Sequence, residues 1–261
     1  MQPVKANPAH SHILITGASS GIGAALALHY AMPGVRLALS GRNRARLSEV
    51  AAECDGRGAI VTDVAVDVTD RDGMAEWIAR EDGKQPLTLV IANAGISGGT
   101  GGGGESADQV RRIFDTNVNG VFNTIDPILP RMIERRSGQI AIMSSLASFS
   151  GWPGAPAYSA SKAAVRLYGE ALRGAMARHG VKVNVICPGF IETPMTAVND
   201  YRMPFMINAA QAAIVTARGI AQNRARIAYP LKTYFFAGII GLLPPAISAK
   251  MLQKAPEKPS Q

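Results

Sequence analysis

The stretch Thr16-Gly17-Ala18-Ser19-Ser20-Gly21-Ile22-Gly23 is entered directly from the apolar run Ile13-Leu14-Ile15 and leads into a helical pattern from Ile22 to Tyr30. An apolar run that breaks into glycines and then into a helix is the turn of a strand–helix unit. Gly17, Gly21 and Gly23 permit a tight turn, close backbone approach to a pyrophosphate and close packing of helix on strand, while the helix N-terminus presents oriented N–H donors. The spacing is GxxxGxG rather than GxGxxG. Its place in the first strand–helix turn makes dinucleotide binding the expected use.

Similar apolar runs recur along the chain: Arg36 to Leu39, Val64 to Val66, Leu89 to Ile91, Ile140 to Met143, Lys182 to Ile186 and, more weakly, Arg226 to Tyr229. Most are continuous rather than alternating, as strands buried on both faces of a parallel sheet require. Helical patterns lie between them at Ala45 to Ala52, Met74 to Ile78, Val110 to Ile133, Ala163 to Ala177 and Ala209 to Ile220. The expected fold is α/β, a doubly wound Rossmann-type parallel sheet of about seven strands with helices on both faces. One domain over 1–261 accommodates this pattern, with a loop at about 190–210 and an apolar and basic extension at about 231–261. Ser97 to Ser106 holds six glycines in ten residues. It is expected to be a flexible surface connection, or a mobile lip beside a strand end.

Composition narrows the classes. Of 261 residues 47% are hydrophobic and 18% charged, the balance of a globular protein with a sizeable core. Cys54 and Cys187 stand far apart, so neither a disulfide framework nor a cysteine metal site is expected. His10, His12, His29 and His179 show no ligand spacing, and His10 and His12 sit in a polar N-terminal stretch; no metal is expected. Of the net charge of +8, the segment from Arg218 onward contributes +6, with seven lysines and arginines against Glu257. No zinc finger, RRM signature or aromatic-studded basic helix accompanies it, so nucleic acid is not an expected partner. Met1 to Ser11 lacks the apolar run of a signal peptide, and the 14-residue apolar stretch Tyr234 to Ile247 is too short to span a bilayer. The expected location is cytoplasmic, with peripheral contact at the inner face of a membrane as the alternative.

Further motifs follow the glycine turn in order: Asp67-Val68, Asn93-Ala94-Gly95, Asn117 within Thr116-Asn117-Val118, Ser145, Tyr158 with Lys162, Pro188-Gly189 and Thr193. With TGxxxGIG at 16–23, this succession resembles the short-chain dehydrogenase/reductase family in its single-domain branch, from about Ile13 to Thr193. The resemblance implies an oxidoreductase that interconverts a carbonyl and an alcohol with a nicotinamide dinucleotide. It implies cofactor contacts from Gly17, Ser19, Ser20, Gly21, Ile22, Gly23, Asp67, Val68, Asn93, Ala94, Gly95, Tyr158, Lys162, Pro188, Gly189 and Thr193. It also implies Asn117, Ser145, Tyr158 and Lys162 as the catalytic set, with Asn117 holding a water that links Lys162 to solvent. Ala92 stands where a second Asn is common.

Elementary chemistry agrees with that set. Tyr158 and Lys162 are four apart, so on a helix they share a face. A free phenol titrates near 10, and a neighbouring cation would lower it toward a useful acid–base range. Ser145 after the fifth strand would hydrogen-bond the substrate oxygen. Tyr168 has no lysine four residues later and is expected to be structural. A non-catalytic dinucleotide-binding regulator of the same fold is the alternative, although the loss of Tyr or Lys that would mark it is absent.

At the end of the second strand an acidic residue would bind the NAD ribose and repel a 2′-phosphate. The sequence there is Gly41-Arg42, and a guanidinium pairs with phosphate, so NADP is expected over NAD even though Ser20 is not basic. The resemblance implies a substrate loop after Gly189, where Phe190, Ile191, Met195, Val198, Tyr201, Met203, Phe205 and Met206 are apolar and Leu146, Phe149 and Trp152 add to the same wall; a methionine-rich helix packed into the core is the alternative. The expected small-molecule substrate is therefore lipophilic. The resemblance implies a homodimer or homotetramer paired through the helices at Ala107 to Arg136 and Ala157 to His179, where Ala160, Ala163 and Ala164 permit close approach. The apolar helix expected at 234–243 needs a cover, either the protein itself or an anionic lipid surface.

Overall fold

The computed structural model describes residues 10–253 and 258. The sequence features at 1–9, and Lys254 and Glu257 of the basic extension, lie outside the described residues.

Seven parallel strands form the central sheet: β1 (His12–Ile15), β2 (Arg36–Ser40), β3 (Ile60–Val64), β4 (Leu89–Ala92), β5 (Gln139–Met143), β6 (Lys182–Pro188) and β9 (Arg226–Tyr229). Their spatial order is β3-β2-β1-β4-β5-β6-β9, so the strand order reverses between β1 and β4. The ends of β1 and β4 thus diverge to opposite halves of the sheet and leave a crevice between their loops.

Successive side chains explain the continuous apolar runs. Ile13, Ile15, Leu37, Leu39, Leu89 and Ile91 point to one face, against α1 (Gly21–Tyr30), α2 (Arg44–Gly56) and α9 (Ala209–Ala221). Leu14, Val90, Ile140 and Ile142 point to the other, against α3 (Arg71–Lys84), α5 (Gly120–Ile125) and α7 (Pro156–Met176). With both faces covered, each strand needs apolar residues at odd and even positions alike.

The structure corrects several expectations. The third strand is Ile60–Val64, not Val64 to Val66; it lies at the sheet edge, where Ile60 is exposed and Thr62 and Asp63 interrupt the apolar signal. The pattern from 110 to 133 is three helices rather than one: α4 (Ala107–Phe114), a π turn at Asp115–Asn119 running into α5, and α6 (Leu129–Glu134) with proline at its start. His10 and His12 are buried, not in a polar terminus. His12 belongs to β1 and its Nδ1 meets Gln85 O at 2.8 Å, while burial, with Lys182 nearby, pushes His10 down to about 4. Cys54 and Cys187 are free and buried, and burial pushes both thiols up to about 11. Tyr168 packs edge-on against Phe122 at 4.9 Å.

The apolar helix is α10 (Leu231–Leu242), followed by α11 (Pro245–Leu252). Its inner face lies on the 3₁₀ turn Leu146–Phe149: Tyr234 meets Phe149 edge-on, and a side chain at Gly241 would strike the Phe149 backbone. Its other face is open, with Leu231, Phe235, Phe236, Ile239 and Leu242 exposed. No helix among the described residues is long and apolar enough to cross a membrane.

Candidate active site

The crevice between β1 and β4 opens into a cleft of about 520 Å³, lined by the loops that leave β1, β2, β4, β5 and β6. The glycine turn is bolted to the β4 end. Thr16 Oγ1 accepts the N–H groups of Asn93 and Ala94 at 3.1 Å, and Asn93 Nδ2 donates to Thr16 O at 2.9 Å. Gly17 holds φ +67°, and a Cβ there would come within 2.8 Å of Ala94 Cα. A side chain at Gly23 would run into Gly17 O and the Asn93 amide. These positions keep open a cradle of backbone at the N-terminus of α1, the shape and polarity that a dinucleotide pyrophosphate requires. Gly21, at φ +57°, faces Thr193, which begins the short helix α8 (Pro194–Ala197). Ser19, Ser20 and Ile22 also line the cleft, and Gly41 leaves room for the Ser19 hydroxyl.

At one end of the cleft stands Arg42, exposed beyond β2. Arg46, from the first turn of α2, lines the same end and was missed in the sequence. The sequence offers Asn43, a favoured helix N-cap residue, and the structure shows its side chain accepting the Arg46 N–H at 3.0 Å, which puts Arg46 on the turn beside Arg42. Asp67 lines the cleft nearby, with Oδ1 accepting the N–H and hydroxyl of Thr69 at 2.9 Å. Val68 packs over Gly120, its carbonyl held by Asn123 at 2.8 Å.

At the other end Ser145, Tyr158 and Lys162 come together with Asn93, Ala94, Gly95, Pro188 and Gly189. Ser145 Oγ accepts the Ala147 N–H at 3.1 Å, which fixes it at the start of the 3₁₀ turn. Lys162 is buried, and its Nζ donates to Met143 O at 3.0 Å, 6.0 Å from the Tyr158 ring centroid. Ser144, also missed, fastens the turn of α7 that carries Lys162 by donating to Lys162 O at 2.8 Å. Gly189 N–H donates to Tyr229 O at 2.7 Å, so the turn after β6 is anchored on β9.

One expectation is corrected here. Burial raises the Tyr158 phenol above its ordinary value, outweighing a hydrogen bond from Ser145, whereas a lowering by Lys162 was expected. Burial also lowers Lys162 to about 8; its ammonium donates to Met143 O and stands 6.0 Å from the Tyr158 ring centroid, close to the phenol as the spacing implied. Asn117 lies wholly buried behind the cleft, on the π turn. Its Oδ1 accepts the Ile96 N–H at 2.8 Å, and its Nδ2 donates to Ile96 O at 2.9 Å and Ser161 Oγ at 3.0 Å. The amide is largely spent on these groups, although Oδ1 and Lys162 Nζ both face Gly95 at 3.1 Å from a Cβ built there.

The loop at 190–210 is stapled by a two-stranded parallel ribbon, β7 (Ile191–Glu192) with β8 (Ile207–Asn208). Met195 lines the cleft, and Tyr201 packs against Phe190 with ring centroids 6.3 Å apart. Phe149 does not join that wall: it lies between the Arg166 and Arg226 guanidinium groups and under Tyr234. The glycine-rich segment is not simply a flexible surface connection. Ser97, Gly98 and Gly99 are buried, and only Gly101 to Gly104 form an exposed turn. Among the described residues no group of three His, Cys, Asp or Glu side chains is placed to hold a metal ion.

A seven-stranded sheet in this order, with a glycine cradle at its reversal point and a Ser, Tyr and Lys at the far end, defines a dinucleotide-dependent oxidoreductase. The family model described as short chain dehydrogenase matches residues 11–217, and the chain belongs to that family. It is 40% identical over 218 residues to an uncharacterized oxidoreductase of Myxococcus xanthus, covering 83% of this chain and 86% of the relative. It is 34% identical over 184 residues to a 3-oxoacyl-[acyl-carrier-protein] reductase of Thermotoga maritima, covering 70% and 75% of the two chains. A crystal structure of a short-chain type dehydrogenase/reductase from Mycobacterium marinum superposes with a TM-score of 0.76 at 28% identity, covering 84% of this chain and 92% of the other.

Proposed function

We propose that the protein is an NADP(H)-dependent carbonyl reductase, acting reversibly on a secondary alcohol, with Tyr158 as the proton donor. The observation that carries this reading is the convergence of Ser145, Tyr158 and Lys162 at one end of a cleft whose other end carries Arg42 and Arg46. The nicotinamide dinucleotide, when bound, supplies the hydride. Ser145 Oγ and the Tyr158 hydroxyl would both hydrogen-bond the carbonyl oxygen, Ser145 stabilising the charge that develops there and Tyr158 supplying the proton. Lys162, which lines this end of the cleft, would face the cofactor, and its charge, 6.0 Å from the Tyr158 ring centroid, would favour the phenolate after proton transfer. Asn117 fixes the Ile96 backbone, and the second lone pair of its Oδ1 would hold a water facing Lys162.

The two guanidinium groups beside β2 favour a 2′-phosphate over a bare ribose. The apolar side chains of the 190–210 loop favour a lipophilic substrate. Ala160, Ala164, Leu167 and Ala171 are exposed on one side of α7, a low-relief surface suited to pairing with a second copy. The open face of α10, with Lys232 beside it, suits contact with an anionic membrane surface. A non-catalytic regulator would have no use for the intact Ser–Tyr–Lys set. The test is Tyr158→Phe, which keeps the ring and removes the proton: NADPH affinity is expected to stay within about twofold while turnover falls at least about 100-fold. Retention of a tenth of native activity on the best carbonyl found would refute the assignment.

A further inference from the structure

Lys258 lies 161 residues from Ser97 in the chain, yet its Nζ donates to Ser97 Oγ at 2.6 Å and stands 5.6 Å from the Tyr158 ring centroid. Its backbone is seated in the glycine-rich segment. Lys258 O accepts the Gly101 N–H at 3.0 Å, and the neighbouring Thr100 N–H donates to Gly154 O at 3.1 Å. Gly99 has no room for a side chain, because a Cβ would strike both Lys258 O and Lys258 Cβ. Gln109 Nε2 holds Gly99 O at 2.9 Å from below. The glycines thus form a close-fitting seat that delivers one ammonium group to the catalytic tyrosine.

The ammonium is buried, with 8% of the residue exposed, and burial lowers it to about 8, so it remains mostly a cation at neutral pH. No carboxylate among the described residues pairs with it. Glu105, on the same segment, gives Oε2 to the Ala157 N–H at 2.8 Å. Among the described residues its partners are the Ser97 hydroxyl and the face of the Tyr158 ring, and a buried cation held in this way gains from an anion that joins it. Lys162 lines the cofactor cleft whereas Lys258 approaches Tyr158 from the glycine segment, so such an anion would belong to the substrate.

We propose that Lys258 is a specificity-determining residue that binds a carboxylate of the substrate, within a few bonds of the carbonyl addressed by Tyr158. The substrate class is then an oxo acid with an apolar chain. The inference rests on Tyr158 being the proton donor, as argued above.

The test uses two matched substrates with NADPH, 3-oxodecanoate and its methyl ester. The native protein is expected to favour the acid in kcat/KM. Lys258→Met is expected to lower kcat/KM for the acid by about tenfold or more and to leave the ester within about twofold, while Lys258→Arg keeps the preference. An unchanged acid-to-ester ratio in Lys258→Met overturns the proposal, and so does a rise for both substrates, which would make Lys258 a plug. Calorimetric binding of decanoate to the NADPH-loaded protein reads the same subsite without turnover. It is expected to weaken by about tenfold in Lys258→Met, and equal binding overturns the proposal. If no carbonyl in a broad panel oxidises NADPH, the functional reading fails, and the decanoate measurement still decides whether Lys258 binds a carboxylate.

Discussion

Replacing Lys162 by methionine is expected to make the protein more stable at neutral pH and inactive. The lysine is buried, and burial lowers it from 10.5 to about 8. At about 1.36 kcal/mol per pH unit, holding its charge in the folded state costs about 3 kcal/mol. Methionine has a similar length and no charge, and it forfeits the bond to Met143 O, a loss of about 1–2 kcal/mol. The net gain below pH 8 is about 1–2 kcal/mol. Between pH 8 and 10.5 the unfolded lysine keeps its proton while the folded one has released it, so native stability rises with pH through that window. Above 10.5 both states are neutral, the cost is gone, and the native protein is the more stable by the value of the hydrogen bond. The difference between the two proteins therefore changes sign. Urea denaturation of both at pH 7, 8, 9 and 10 measures it, and other groups titrating in this range cancel in the difference. A difference independent of pH, or a variant less stable at pH 7, would refute the reasoning.

Three other outcomes are expected. Asn93→Ala removes the bonds to Thr16 O and Gly17 O, so unfolding stability should fall by about 1–3 kcal/mol and NADPH affinity should weaken, as measured by urea denaturation and calorimetry. Arg42→Ala with Arg46→Ala should weaken NADPH by about tenfold or more with little effect on NADH; equal affinity of the native protein for both cofactors would remove the basis for this. Asp82→Ala leaves Arg135 without its carboxylate partner at 2.9 and 3.0 Å and Leu87 N–H without its acceptor, so a loss of about 3–5 kcal/mol in unfolding stability is expected.

The buried strands and the glycine turn were legible in the sequence because a parallel sheet covered on both faces leaves no polar positions to blur its apolar runs. The signal failed where that condition lapsed. β3 has an open edge, and its apolar marker at 64–66 falls on the turn beyond the strand. The break in the helix after Phe114 was hidden because a π turn keeps helical spacing while rotating the face that follows. Ser145, Tyr158 and Lys162 were found by order and spacing, and the structure brings them into one cleft. Arg46 needed the cap geometry of α2. Lys258 carried no local signal at all, since its partner Ser97 and the glycines that seat it are distant in the chain.

The sheet order also sets a sequence of events during synthesis. The glycine cradle, Asn93, Ser145, Tyr158, Lys162 and Thr193 all precede residue 194, but β6 acquires its outer neighbour only when Arg226–Tyr229 has been made. Until then one edge of the sheet offers unpaired backbone groups, and the Gly189 turn lacks its anchor on Tyr229 O. A growing chain therefore gathers its nucleotide-facing residues before it can close the sheet, and Lys258 reaches Ser97 last. The edge of β6 is where an unfinished or truncated chain is most exposed to pairing with another strand.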